Sequence, residues 1–222
     1  MYAQAYNPMM FALGKGVYEQ TCISCHGENG QTNAQMELIV KPRKLNQSIL
    51  SEDQSYEIIK HGAHHWGAHA DIMPAFKYVY DERQLRSVAH YISHQFHPKR
   101  DEKVSQLLQK SMIYSVSIED DMLGVGKKIF TKKCAKCHGK KGDGESRYVE
   151  LSKNEDDFIY PYNLRKTLLN EDEIFLYAKY GGKFWGTHKD DMPSWKRKYD
   201  DFQLRSVARY IQKRIKQPHN KE

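Results

Sequence analysis

Cys22-Ile23-Ser24-Cys25-His26 and Cys134-Ala135-Lys136-Cys137-His138 decide how this chain is read. Each is Cys-x-x-Cys-His, the pattern of covalent c-type haem attachment. Two thiols three residues apart on one helical turn add to the two vinyl groups of one porphyrin, and the adjacent His lies under the iron as proximal ligand. Three rival readings compete: a pair of disulfides, a Cys2His2 zinc site and a thioredoxin-like redox motif. Zinc sites separate a Cys pair from a His pair instead of setting one His behind each Cys pair. A redox Cys-x-x-Cys needs neither the His nor a second copy. The two motifs use all four cysteines of the chain. Two covalently bound haem c groups are therefore expected, one on Cys22 and Cys25 with His26, the other on Cys134 and Cys137 with His138.

Outward from the motifs the whole chain repeats. The offset is 112 residues at the motifs and 119 from Pro42/Pro161 onward, so the second copy carries seven extra residues between His138 and Pro161. Between 42–92 and 161–211, 24 of 51 positions are identical, among them Trp66-Gly67/Trp185-Gly186 and Met73-Pro74/Met192-Pro193. A period this long excludes a solenoid and means two small domains. The expected division is 1–98, a linker over 99–118 that includes a short helix, and 119–222.

Each copy reads as helical. Gly14 and Tyr18, or Gly126 and Phe130, share a face that leads into the Cys motif. Ser51 and Asn170 stand as N-caps before Glu-Asp pairs, and Gly62 and Gly181-Gly182 end those helices. Leu85, Val88, Ala89 and Ile92, and likewise Leu204, Val207, Ala208 and Ile211, recur at the helical period. No stretch alternates with period two, so the fold class is all-α.

Hydrophobic residues make up 39% of the 222 residues, and the mean hydropathy is −0.81. No window approaches the roughly 20 apolar residues of a membrane helix. A domain of about 100 residues with so few aliphatics is marginal alone. A buried haem supplies the missing apolar plate.

A low-spin electron-transfer haem takes a sixth ligand. Met73 and Met192 each precede a proline, which keeps the preceding residue extended and holds a thioether in a loop. Gap-filling in a core is the rival role for a Met and suits Met36, Met112 and Met122.

With these residues the sequence resembles the class I cytochromes c, and specifically the two-domain periplasmic dihaem cytochromes c. The resemblance covers nearly the whole chain outside the linker. It rests on an N-terminal helix with Gly and an aromatic before Cys-x-x-Cys-His, Pro-x-x-Leu (Pro42 to Leu45, Pro161 to Leu164), Met-Pro followed by Phe76 or Trp195, and a C-terminal helix bearing Tyr91 or Tyr210. It implies two tandem domains, each wrapped round one haem. It also implies that the terminal helices cross at Gly14 and Gly126, and that His26, Met73, His138 and Met192 are axial ligands. The carbonyls of Pro42 and Pro161 are expected to accept the Nδ1 hydrogen of the proximal His. The loop Trp-Gly-x-His-x-Asp-x-Met-Pro leaves three roles open to His69 and His188: hydrogen-bonding a haem propionate, stiffening the loop, or replacing Met as ligand. Trp66 and Trp185 either donate their N–H to a propionate or simply pack. His64 and His65 read as solvated, with a surface metal site as the lesser alternative, and His61, His90, His94 and His97, unmatched in the second copy, and His219, unmatched in the first, take no assigned role.

The net charge of +7 is uneven: +1 over residues 1–110 and +6 over the remainder. Lys127, Lys128, Lys132, Lys133, Lys136, Lys140 and Lys141 crowd the second motif. They are either a solvated face or a collar that steers an acidic redox partner. No nucleic-acid-binding signature is present. A His/Met pair leaves no open coordination position, so the expected function is single-electron transfer by a soluble carrier between a periplasmic donor (a quinol-oxidising complex or dehydrogenase) and a terminal oxidase or reductase. The alternatives are a peroxidase-like or thiosulfate-dehydrogenase-like dihaem oxidoreductase, or an electron-transfer subunit of a larger complex. Covalent haem implies the bacterial periplasm, with a leader segment removed from the precursor.

Overall fold

The computed structural model describes residues 5–32, 41–68, 73–111, 119–154, 158, 160–187 and 192–217. Among them there are helices and no strand. In the first half α1 (Pro8–Val17) runs through a π-helical turn, Tyr18–Cys22, into α2 (Ile23–His26), followed by α3 (Glu52–His61) and α4 (Glu82–Phe96). α5 (Arg100–Gln109) joins the halves. The second half repeats the plan. α6 (Glu119–Ile129) passes through the π turn Phe130–Cys134 into α7 (Ala135–His138), and α9 (Glu171–Tyr180) and α10 (Asp201–Tyr210) complete the set. Its extra residues between His138 and Pro161 contain α8 (Arg147–Ser152), which has no described counterpart.

Local chemistry fixes these elements. Ser51 and Asn170 close capping boxes with Gln54 and Glu173, and Asp81 and Asp200 do so with Gln84 and Gln203. Gly62 and Gly181 end α3 and α9 at φ 81° and 79°. The terminal helices cross as the resemblance implies. A Cβ on Gly14 would overlap the Ser87 carbonyl, and one on Gly126 the Ser206 carbonyl. Tyr18 lies 5.3 Å from Tyr91, and Phe130 lies 5.5 Å from Tyr210. These rings roof each crossing and lead the chain into its haem motif.

The two halves meet about a pseudo-two-fold axis. The Lys44 N–H donates to the Gly186 carbonyl at 3.0 Å, and the Asn163 N–H donates to the Gly67 carbonyl at 2.9 Å. Lys44 and Asn163 are equivalent positions, as are Gly67 and Gly186, so this is one contact made twice, the mark of an isologous interface. Positions equivalent to one another must then touch on the axis. They do: Gln54 Nε2 donates to Glu173 Oε2 at 2.7 Å, and the Arg43 guanidinium lies 4.7 Å from the Tyr162 ring centre. Arg100 at the start of α5 pairs with the same buried Glu173 and donates to the Ile49 carbonyl at 2.7 Å. Ile49 and Val104 are buried in the core of the second half. The linker segment is thus folded onto that half, with Leu107 and Leu108 also against its core.

Candidate haem sites

Each motif sits where an apolar core opens to a loop. Cys22 and Met73 pack against the first core, and Cys134 and Met192 against the second. In each half the first cysteine of the motif and the Met of the loop therefore share one apolar compartment. No disulfide joins the cysteines. Burial, reinforced by the neighbouring Cys25 or Cys137, pushes the Cys22 and Cys134 thiols up to about 12, so both are neutral thiols. His26 and His138 are pulled below the ordinary imidazole value by burial. Neutral imidazoles and neutral thiols facing an apolar compartment suit covalent haem c, which supplies a one-electron iron couple when bound.

The loop that carries each Met is fixed by backbone bonds. Ala63 N–H donates to the Met73 carbonyl at 3.0 Å and Gly182 N–H to that of Met192 at 2.8 Å. Phe76 N–H and Trp195 N–H reach the Ile59 and Ala178 carbonyls of α3 and α9 at 3.0 and 3.1 Å. Gly62 and Gly181 lie against this segment so closely that a Cβ would press on the Met73 or Met192 carbonyl. The helix stop and the Met position are one device.

One expectation about the surrounding residues is corrected and another is narrowed. His138 Nδ1 donates to the Tyr162 carbonyl at 3.0 Å, one residue beyond Pro161. In the first half the group facing His26 is the backbone of Arg43, the counterpart of Tyr162; the Nδ1 is buried and falls short of a full hydrogen bond. The Pro42 carbonyl instead accepts from Thr32 Oγ1 at 3.0 Å. Proline sets the extended path, and the following peptide presents its oxygen. Of the two roles open to Trp66 and Trp185, packing fits the structure, since both rings are buried. Trp66 Nε1 donates to the Glu57 carbonyl at 3.0 Å and Trp185 Nε1 to that of Leu176 at 3.3 Å. An indole has a single donor, and here it anchors the loop to the preceding helix instead of meeting a propionate. His69 and His188 lie outside the described residues.

The lysines near the second motif divide. Lys127, Lys128, Lys132, Lys136, Lys140 and Lys141 are exposed, and Lys133 is half-buried. Sequence reasoning missed Lys198, which follows the Met192 loop and crowds Lys133. Their repulsion, with Lys136 adding to it, lowers the Lys133 pKa. At the equivalent places the first half has Thr21, hydrogen-bonded to Tyr80, and exposed Tyr78 and Val79. The repeat offset alone pairs Val79 with Lys198 and Thr21 with Lys133, so the signal was present in the sequence.

No helix among the described residues is long and apolar enough to cross a membrane. No curated protein sequence matches the chain. Among solved structures, a chain of the reducing HAO-like protein complex of Kuenenia stuttgartiensis is similar at 21% identity, covering 92% of this chain and 96% of that one, with a TM-score of 0.48. The family model described as cytochrome c oxidase, cbb3-type, subunit III, matches residues 10–92 and 122–211. With two such matches laid over two Cys-x-x-Cys-His domains, the chain belongs to this class I cytochrome c family and is a dihaem electron-transfer protein that carries two covalent haem c groups.

Proposed function

We propose that the protein is a periplasmic electron carrier that takes single electrons from a quinol-oxidising complex or dehydrogenase and passes them to a terminal oxidase or reductase. The observation that carries this reading is the packing of Met73 with Cys22, and of Met192 with Cys134, on one core in each half. On this reading Met73 and Met192 complete the coordination of haems held by His26 and His138, and neither iron keeps a position open to substrate. The chain's own part is to hold each Met by its carbonyl, to exclude water and to keep the proximal imidazole neutral. The basic face formed by Lys133, Lys136 and Lys198 beside the second motif suits an acidic partner, with encounters that weaken as salt rises.

A second reading is favoured by the family, which is named for an oxidase subunit. In that case the same lysines form an interface within a complex, and comigration with a partner in native extracts separates the two.

The test is the near-red absorption band of Met sulfur on ferric haem. The carrier reading expects full intensity for two haems, half of it in Met192→Ala or Met73→Ala, and loss of the band in the double variant. A high-spin spectrum in the unsubstituted protein overturns it and points to an open, catalytic haem.

A further inference from the structure

The first half contains a side-chain cluster that electron transfer does not use. Glu52 opens α3, and His90 and His94 stand one turn apart on the facing side of α4. His90 Nδ1 is 3.1 Å from Glu52 Oε1 and 3.2 Å from Oε2, and His94 Nε2 is 3.8 Å from Oε2. One donor atom from each residue falls within a sphere where all lie within 4.8 Å of one another. A tetrahedral zinc ion with bonds of about 2.0–2.1 Å sets its ligand atoms roughly 3.3 Å apart; His90 Nδ1 already stands near that spacing from the Glu52 carboxylate, and the His94 ring must swing inward to reach it. The side chains are sheltered: His90 is 1% exposed, Glu52 11% and His94 23%. The Tyr6 ring covers both imidazoles, at 6.1 and 5.5 Å between centres.

The second half shows what this carboxylate demands. Glu171, the counterpart of Glu52, is held 2.9 Å from the guanidinium of Arg209, the counterpart of His90. Lys213 stands where the first half has His94. One copy thus neutralises the carboxylate with a permanent cation, while the other surrounds it with two imidazoles. A pair of His at i and i+4 on a helix, joined by a carboxylate, is a donor set for a divalent transition metal.

We propose that Glu52, His90 and His94 form a binding site for a divalent transition metal of the zinc class. The ion bridges α3 and α4 and takes the charge-balancing role that Arg209 has in the second half. Binding also has a stated local cost. His90 Nε2 accepts the Asn7 N–H at 3.0 Å, so the ring's proton is on Nδ1, directed at Glu52. A metal on Nδ1 moves that proton to Nε2, which then opposes the Asn7 N–H as a second donor, so the Asn7 segment must draw back from the ring. Asn7 is the exposed N-cap residue of α1, outside the helix, so this segment has room to shift and let water take up both donors.

The haem-loaded protein, in which the cysteines are consumed, should be titrated with Zn2+ by calorimetry and by thermal unfolding. The expected result is one Zn2+ per chain and a melting temperature that rises with Zn2+ concentration. His94→Ala should weaken binding at least about tenfold. His90→Arg, which recreates the second half's ion pair, should fold normally and show no site. His65→Ala, in the separate surface group where His61 and His65 stack, should bind as the parent does. Equal binding by the parent and His94→Ala, or no binding by the parent, overturns the proposal. If His90→Arg also fails to fold, His94→Ala, at the more accessible edge of the cluster, decides alone.

Discussion

His97 shows how much one side chain can set. It is the C-cap of α4, buried, with both ring nitrogens lacking a hydrogen-bond partner. Burial, with Arg100 and His94 opposing the charge and Asp101 only partly favouring it, pulls the imidazole down to about 4. In the unfolded chain the value is about 6.5. Below pH 6.5 the unfolded chain takes up a proton that the folded chain refuses. Stability is therefore full above pH 6.5, falls as the pH drops toward 4 and levels off below it. The expected loss from this residue between pH 7 and pH 5 is on the order of 2 kcal/mol. Denaturant unfolding of His97→Gln at the two pH values should show a shallower dependence than the parent, and an unchanged slope would remove His97 as its source. Sequence inspection assigned this residue no role. Nothing local marks a histidine as buried, because its environment is made by Arg100 and the turn after α4.

At the scale of elements, the crossing of the terminal helices rests on Gly14 and Gly126, where any Cβ meets the backbone of Ser87 or Ser206. Gly126→Ala should force α6 and α10 apart and cost about 1–3 kcal/mol, the range for overpacking a close contact. Gly16, exposed on the outer side of α1 with nothing within 4 Å of an added Cβ, makes the opposite prediction. Gly16→Ala should stabilise by about 0.5–1 kcal/mol through lower unfolded-chain entropy and better helix propensity. Thermal unfolding of the pair checks both signs, and destabilisation by both would mean that helix interior and crossing cannot be told apart. The helices, their caps and the Gly stops were legible because each rests on residues within one turn, whereas the crossing at Gly14 and Gly126, a contact between residues far apart in sequence, came only with the family resemblance. The π turns that end on Cys22 and Cys134 were not, since no residue in Tyr18–Cys22 or Phe130–Cys134 is special to that geometry. The acceptor for His138 was misplaced by one residue for a related reason: Pro161 marks where the chain bends, and the neighbouring peptide does the bonding.

For the whole molecule, duplication was visible in the sequence and its consequence was not. Repeats announce equivalent positions, but only the structure pairs Gly67 with Asn163 and Gly186 with Lys44, and so gives the Trp-Gly loop an interface role beside its place near the Met. The axis itself runs beside Gln54 and Glu173. Each is the third residue of its helix and closes its own capping box, and the Gln54 amide then crosses to the buried Glu173 carboxylate that Arg100 also holds. A capping box accepts Glu as readily as Gln, so Gln54→Glu leaves α3 capped but sets two carboxylates together on the axis. The lost amide bond and the repulsion should cost about 1–3 kcal/mol, all of it between the halves. Gln84→Glu makes the same change in the exposed box of α4, away from the axis, and should be close to neutral. Calorimetry of the haem-loaded proteins should show one cooperative transition for the parent and for Gln84→Glu, against a lower or split transition for Gln54→Glu. Equal behaviour of the two variants would mean that Ile49 and Val104, buried in the second core, hold the halves together without help from the polar axis.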